Sequence, residues 1–196
     1  MTKTKINWLI KKKGGLYCMP GDFFIDPIFP VKRALITHAH TDHARPNNKV
    51  ILSSKETIEL MKLRYGQNYC SQSQIIKCNE VVKINNVKIR IYPAGHILGS
   101  VQFLIEYKGY RLLISGDYKR SIDLTCSQYE PVKCDTFITE ATFGLPIFNH
   151  PNDKDEVKKL IDSLNTNNHS THLVGVYALG KCQRLISLLR NLGYEK

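Results

Sequence analysis

Short apolar and alternating runs, separated by glycine, proline and asparagine, predict that the first part of the chain is built mainly from β-strands. Residues 33–37 form an apolar run that is typical of a buried strand. Residues 87–92 alternate apolar and basic side chains, as a half-buried strand does. Residues 101–107 and 110–115 predict two more strands, and the Lys-Gly pair between them predicts a short hairpin turn.

Helical periodicity becomes more frequent towards the end of the chain. Ser53 and Glu56 form a capping-box pattern ahead of a first helix. Asn152 can cap a second helix that carries one apolar stripe. Residues 183–192 predict a third helix, which follows a strand-like run at 172–179. Strands with interspersed helices place the chain in the α/β (α+β) class.

The charge balance adds a hint about the partner. The chain has 28 lysines and arginines against 17 aspartates and glutamates, which gives a net charge of +11. Such a balance favours a polyanion, and nucleic acid in particular, because basic side chains neutralise phosphates and release counterions. A basic surface that serves only solubility is the alternative interpretation.

Cysteine use and hydropathy indicate a cytoplasmic location. The six cysteines show no paired spacing of the zinc-finger kind, so we expect reduced, mostly structural thiols. No apolar run approaches the length that crosses a membrane, and the basic N-terminus lacks the apolar core of a secretory signal.

Residues 38–43, with the sequence His-Ala-His-Thr-Asp-His, place four metal-binding side chains within six positions. Residues two apart on an extended backbone project to the same side, so His38 and His40 can bind one ion together. If the chain then turns, Asp42 and His43 face a second ion, as two-metal hydrolases require. Imidazole with carboxylate suits zinc, and also manganese or iron. A polar turn rich in histidine is the alternative.

Two later strand ends can supply further ligands. His96 lies on a glycine-flanked loop after the strand at 87–92, and Asp117 follows the strand at 110–115. Each would be an ordinary loop or turn residue if it stood alone. Together with the first motif they become candidate metal ligands, and Asp117 is placed to bridge two ions.

These motifs are recognisable as a set. THAHTDH, GHILGS and SGDY, in this order and at strand ends, resemble the metallo-β-lactamase superfamily. ITEATFGLP at 138–146 is similar to the acidic motif that opens its β-CASP branch. Within that branch, GLYCMPGDFFIDP, THAHTDHARP, SGDYKR and ITEATFGLPIF resemble the bacterial ligase-associated DNA exonuclease family and the mRNA 3′-end processing nucleases.

The resemblance implies a fold and a domain organisation. Residues 1–147 would form part of a metallo-β-lactamase αββα sandwich, incomplete at its C-terminal end. Residues 148–196 would begin an inserted β-CASP-like α/β domain. Members of the family continue well beyond the length of this chain, so the second metal site is expected to lack one histidine ligand. His150, His169 and His172 lack the surroundings of that motif and are expected to be surface residues.

The resemblance also implies two Zn²⁺ ions, with Mn²⁺ as an alternative, and roles for individual residues. Asp42 would hold the attacking hydroxide in line, and Glu140 would orient or tune the catalytic machinery. The implied metal ligands are His38, His40 and His96 for the first ion, Asp42 and His43 for the second, and Asp117 between them.

The implied function is hydrolysis of phosphodiester bonds by a metal-bridging hydroxide, with DNA favoured over RNA and a DNA ligase or helicase as an implied partner. Two alternatives stay open. One is an inactive fragment that binds metal or nucleic acid. The other is a hydrolase of small esters, thioesters or lactams with the same fold, against which the basic charge and the ITEATFG segment argue.

Overall fold

The structure, a computed structural model, describes residues 6–194. Within these residues the elements in chain order are β1 (Leu9–Lys12), β2 (Gly15–Cys18), β3 (Phe23–Ile25), β4 (Arg33–Leu35), β5 (Asn48–Ser53), α1 (Lys55–Tyr65), β6 (Cys70–Ile75), β7 (Val82–Ile84), β8 (Val87–Pro93), β9 (Val101–Tyr107), β10 (Tyr110–Ile114), β11 (Thr136–Ile138), α2 (Asp153–Thr166) and α3 (Lys181–Asn191).

The strands form two sheets. The first has the order β1-β2-β3-β4-β5-β6, antiparallel from β1 to β3 and parallel from β3 to β6. The second has the order β11-β10-β9-β8-β7, with β11 parallel to β10 and the other pairs antiparallel. The predicted hairpin is present, and Lys108 and Gly109 both adopt positive φ, at 48° and 76°. Positive φ at both central residues is what a two-residue hairpin turn of type I′ requires.

The inner faces of the two sheets share one apolar core. Phe23 and Leu35 from the first sheet pack in it with Ile89, Phe103 and Ile105 from the second, and all are at least nine-tenths buried. These positions alternate along their strands because successive side chains of a strand point to opposite faces. Burial of such side chains stabilises a fold by about 1.5–3 kcal/mol each relative to exposure.

Helix α1 covers the outer face of the first sheet. Its buried Ile58 and Met61 pack against Ala34, Ile36 and Ile51, which stand on the opposite face from the shared core. Residues 6–140 therefore contain one helical layer and both sheets, and the two-sheet α/β fold that the sequence predicts is confirmed.

The predicted cap of helix α1 is wrong by one residue. Ser54 is the N-cap, and its hydroxyl accepts a hydrogen bond from Thr57 N at 3.2 Å. Ser53 is the last residue of β5, and its hydroxyl donates to the carbonyl of Ile36 at 2.6 Å. Either of two adjacent serines can accept such a bond, so the sequence alone does not distinguish Ser53 from Ser54 as the cap.

A second compact unit begins at Ala141, after a first that ends at Glu140. It contains helices α2 and α3, and Asn152 caps α2 as predicted by accepting a hydrogen bond from Lys154 N at 2.9 Å. The domain limits 1–147 and 148–196 remain a prediction, and residues 1–5 and 195–196 within them lie outside the described residues.

The predicted strand at 172–179 is wrong. This segment pairs with no strand among residues 6–194, and Leu173 is 93% exposed. An apolar run becomes a strand when a neighbouring strand accepts its backbone hydrogen bonds, and none does so in the described part of the second unit. No helix in residues 6–194 has the length and apolar character needed to cross a membrane.

Candidate metal centre

The histidine-rich run follows β4 and forms a turn, which is the condition under which Asp42 and His43 can face a second ion. The backbone N–H groups of His43 and Ala44 both donate to the carbonyl of His40, at 3.1 and 2.7 Å. His38 is fully buried, and Arg64 of helix α1 donates to the carbonyl of Ala39. The run is therefore held from two sides, by its own turn and by helix α1.

The loop that carries His96 is fixed to the start of helix α1. Ser100 accepts a hydrogen bond from the backbone N–H of His96 at 3.0 Å. The hydroxyls of Ser54 and Thr57 both donate to the carbonyl of Gly99, at 2.6 and 3.0 Å. Gly99 has φ +78°, and a Cβ there would lie 2.6 Å from a side-chain carbon of helix α1. Only glycine permits this close approach, which sets the position of His96.

Asp117 reaches the centre through a second glycine. Gly116 has φ +56°, and a Cβ there would lie 2.5 Å from the Thr37 hydroxyl oxygen. The end of β10 therefore packs directly against the chain that leads into His38. Glycine is required at this crossing for the same steric reason as at Gly99.

Three imidazoles and one carboxylate converge. His40 Nδ1 lies 3.1 Å from His38 Nε2 and 3.1 Å from His96 Nε2. Asp117 Oδ2 lies 3.5 Å from His96 Nε2 and 3.8 Å from His38 Nε2. The four ligand atoms lie within 4.8 Å of one another. A tetrahedral zinc site with bonds of about 2.0–2.1 Å has edges of about 3.3–3.4 Å, so these residues fit a metal ion.

A second group of donors meets the other oxygen of Asp117. His43 Nε2 lies 3.5 Å from Asp117 Oδ1 and 3.6 Å from Asp42 Oδ2. Asp42 is the most exposed of the three, with 72% of its side chain accessible. The two oxygens of the Asp117 carboxylate are thus divided between two donor groups.

Asp26 orients both groups, although it is not among the site residues predicted from the sequence. Its carboxylate accepts hydrogen bonds from Thr37 N and Thr37 Oγ1, at 2.8 and 2.6 Å, and lies 2.8 Å from His43 Nδ1. Because the Thr37 proton goes to Asp26, we assign the proton between Thr37 Oγ1 and His38 Nδ1, 3.0 Å apart, to the imidazole. His38 then presents an unprotonated Nε2 to the centre, and the Nδ1 proton of His43 is held by Asp26, so that His43 Nε2 is the atom available to a metal ion.

The electrostatics favour the neutral forms of His38 and His96. Burial, with the neighbouring His43, His96 and His40, lowers the pKa of His38 far below its usual range. Burial and the charges of His40 and His43 lower the pKa of His96 to about 4. A neutral imidazole is the form that binds a metal ion.

His43 differs from these two histidines. Burial lowers its pKa, but the hydrogen bond to Asp26 and the charges of Asp26, Asp117 and Asp42 outweigh burial and raise the pKa to about 9. Burial has the opposite effect on the neighbouring carboxyl group, and it is the main cause of the raised pKa of Asp117. His43 therefore holds its proton more tightly than His38 and His96 do, so we expect a metal ion that binds to His43 to displace this proton.

Glu140 lies beside this centre, two residues beyond β11. Because β11 runs parallel to β10, their C-terminal ends meet at the same edge, and Ser115 N donates to Ile138 O at 3.0 Å. The charge of Glu140 contributes to raising the pKa of Asp117 and opposes the lowering at His96.

The remaining histidines lie in the second unit. His150 and His169 are exposed, and His172 Nε2 lies 3.0 Å from Ser163 Oγ. None of the three belongs to the cluster found among residues 6–194.

Comparison with known proteins gives relatives of two kinds. No protein-family model matches the chain. The chain is 28% identical over 190 residues to a probable DNA ligase of Opitutus terrae, a match that covers 93% of this chain and 18% of the ligase. It is 32% identical over 173 residues to the endoribonuclease ysh1 of Emericella nidulans, which covers 80% of this chain and 19% of that protein.

A third relative and one solved structure are also similar to the chain. The chain is 31% identical over 118 residues to cleavage and polyadenylation specificity factor subunit 3 of Dictyostelium discoideum, covering 58% of this chain and 15% of that protein. It spans less than a fifth of the length of each of these three relatives. A solved structure of a protein of unknown function from Enterococcus faecalis has a TM-score of 0.54 at 15% identity, covers 81% of this chain and 44% of that one, and supports the fold alone.

The names of the relatives and the cluster in this structure point to the same family as the sequence motifs. Two of them are named as an endoribonuclease and as a cleavage and polyadenylation specificity factor subunit, at 32% and 31% identity. The cluster of three histidines and an aspartate stands where the motifs place it. The chain is thus a homologue of the nucleases that form the β-CASP branch of the metallo-β-lactamase superfamily.

Proposed function

We propose that this chain is a metal-dependent nuclease that hydrolyses phosphodiester bonds in nucleic acid. The observation that carries the proposal is the division of the Asp117 carboxylate, with Oδ2 towards His38 and His96 and Oδ1 towards His43. A carboxylate that serves two donor groups is the arrangement that two-metal hydrolases use.

The proposed ligand assignment follows the two groups. We favour Zn²⁺ in both sites, with Mn²⁺ as the alternative, because imidazoles outnumber carboxylates among the donors. The first ion would be held by His38, His40, His96 and Asp117, and the second by Asp42, His43 and Asp117.

The chain's own residues then have distinct roles. When bound, a pair of metal ions supplies Lewis acidity and lowers the pKa of water towards about 7. The neutral histidines add no charge, while Asp42 and Asp117 add one negative charge each, so the loaded centre stays positive towards a phosphate. Asp42 Oδ2, on the exposed side, can accept a hydrogen bond from the attacking water and hold it in line. Glu140 adds negative charge that tunes Asp117 and His96.

The substrate is proposed to be DNA. The net charge of +11 favours a polyanion. The similarity to a protein named as a probable DNA ligase extends over 93% of the chain, further than the similarity to the endoribonuclease. RNA is the second candidate, because the relatives with identities of 32–35% carry endoribonuclease names.

The test is metal content by elemental analysis together with cleavage of single-stranded and double-stranded DNA and of RNA, in the presence of zinc. We expect about two metal ions per chain and cleavage that His40→Ala abolishes. His169→Ala, which removes an exposed histidine of the second unit, is the matched control. It is expected to keep the metal content and the cleavage of the unaltered chain.

Other outcomes would redirect the proposal. One metal ion without cleavage of any nucleic acid would contradict a working nuclease and favour a half-site. Hydrolysis of small esters or thioesters without cleavage of nucleic acid would favour the small-molecule alternative. Cleavage of RNA without cleavage of DNA would make RNA the favoured substrate in place of DNA.

A further inference from the structure

Asp123 is a buried carboxylate in the connection between β10 and β11. Residues 117–135, all within the described part of the chain, form no helix or strand, yet the Asp123 side chain is only 5% exposed. Its oxygens accept hydrogen bonds from Lys119 Nζ at 2.7 Å, Thr125 N at 3.0 Å and Thr125 Oγ1 at 2.6 Å. Burial raises the pKa of Asp123, but these donors outweigh it, so the net shift is downward and the carboxylate is ionised.

The same connection packs against the loop that carries His96. The backbone N–H of Lys119 donates to the carbonyl of Ala94 at 3.0 Å. Gly95 has φ +73°, and a Cβ there would overlap the carbonyl oxygen of Lys119 and lie 2.9 Å from Tyr129 N. Lys119 thus touches the residues that immediately precede His96 and follows Asp117 by two positions.

We propose that the Lys119–Asp123 ion pair is a lock that keeps Asp117 at metal-binding distance from His96. Lys119 makes both contacts on which this lock depends. Its backbone N–H binds the loop that carries His96, and its ammonium group binds Asp123. Neither residue contacts the reacting atoms in this proposal, so both are positioning residues. The inference rests on the proposed function, since it concerns the geometry of the two metal sites.

The second metal site depends on the lock more than the first. The first group combines Asp117 with His38, His40 and His96. Among the described residues, the second group has only Asp42 and His43 beside Asp117. A displacement of Asp117 therefore removes a larger share of the donors from the second site.

The experiment compares Asp123→Asn and Lys119→Met with the unaltered chain. Zn²⁺ binding is titrated against a competing chelator, and Co²⁺ is added separately so that its absorption spectrum reports the ligand geometry. We expect the affinity for the second ion to fall about tenfold in each variant, at the lower end of the range for outer-shell partners of metal ligands. The affinity for the first ion is expected to change less than threefold.

Asp135→Asn is the matched control. Asp135 lies at the other end of the same connection, where its carboxylate accepts a hydrogen bond from Arg111 N at 2.8 Å. The substitution changes the charge as Asp123→Asn does, and it is expected to leave both affinities and the Co²⁺ spectrum unchanged. Thermal unfolding of the metal-free variants shows whether a loss of affinity comes with a general loss of stability or reflects the position of Asp117 alone.

The double variant decides whether the two residues act as one unit. If they form a lock, Asp123→Asn with Lys119→Met costs no more second-ion affinity than the larger single loss. Additive losses, or equal affinities in Asp123→Asn and Asp135→Asn, would overturn the inference. If Asp123→Asn fails to fold, the comparison is made with Lys119→Met, which leaves the Asp123–Thr125 bonds in place. Second-ion affinity equal to that of Asp135→Asn would then overturn the inference. An unaltered chain that binds no metal would overturn the proposed function as well, whereas unchanged variants overturn the lock alone.

Discussion

The two units of the chain differ in how firmly their side chains are held. In the first unit the core residues Leu35 and Phe103 are fully buried, and the loops around the metal centre are tied to neighbouring elements by side-chain hydrogen bonds. In the second unit Ile147, Leu173 and Tyr177 are 81%, 93% and 71% exposed. Tight packing restricts side chains to one arrangement, and exposed side chains lack that restriction.

This difference indicates where substitutions have their effects. A catalytic centre requires its groups within a fraction of an ångström of their working positions, which rigid surroundings provide. The first unit has such surroundings around His38, His96 and Asp117. We therefore expect substitutions in the first unit to change metal binding and stability, and comparable substitutions in the second unit to leave metal binding unchanged and to cost less stability.

The largest expected effect follows from Asp117→Ala. The substitution removes a donor from both groups at once, so we expect metal content to fall from about two ions to one or fewer. Cleavage should fall by more than about 100-fold, the upper end of the effect of outer-shell partners. Elemental analysis and initial rates measure the two effects. Asp155→Ala, in the first turn of helix α2, is the control, and a similar loss there would show that the units do not differ.

A large loss of stability is expected from Phe103→Ala. Phe103 is fully buried where the two sheets meet, and removal of its ring leaves a cavity. The free energy of unfolding should fall by about 3–5 kcal/mol. Leu173→Ala in the second unit should change it by less than about 0.5 kcal/mol, because the side chain is exposed. Denaturant unfolding measures both, and equal losses would contradict the comparison.

A smaller effect is expected from Asp26→Asn. The amide keeps the shape of the carboxylate but loses the charge that holds the His43 and Thr37 protons. We expect metal affinity to fall 10–100-fold, measured by chelator competition. Asp22→Asn, which affects a carboxylate bonded to the Tyr17 hydroxyl at 2.8 Å, is the control. An affinity that stays the same in Asp26→Asn would show that Asp26 does not orient the ligands.

The features that local periodicity encodes were predictable. Strands β8 and β9 appear as alternating or apolar runs, and Asn152 caps helix α2 as its position suggests. The His-x-His-x-Asp-His run also carries its chemistry within six residues, so the centre can be located from sequence. Local patterns of this kind survive because local propensity and the final fold agree.

Features that depend on non-local contacts were not predictable. Asp26 is 11 and 17 residues from Thr37 and His43, and the parallel pairing of β3 with β4 brings them together. Nothing in the local sequence around Asp26 shows this pairing. The error at 172–179 has the same cause, because a strand depends on a neighbour that the segment itself does not specify.

The smallest expected effect concerns alanine substitutions at two glycines, one in each unit. Gly99 and Gly193 both have positive φ, at 78° and 88°. An alanine in this region costs about 1–2 kcal/mol at either position. At Gly99 the new Cβ would also lie 2.6 Å from helix α1, whereas nothing lies within 4 Å at Gly193.

Gly99→Ala should therefore lower metal affinity as well as stability, because the Cβ pushes the loop of His96 away from helix α1. Gly193→Ala should lower stability by the backbone cost alone and leave metal affinity unchanged. Thermal unfolding and Zn²⁺ titration of the two variants separate these contributions. If Gly99→Ala binds metal as tightly as Gly193→Ala does, the contact of the loop with helix α1 does not set the position of His96.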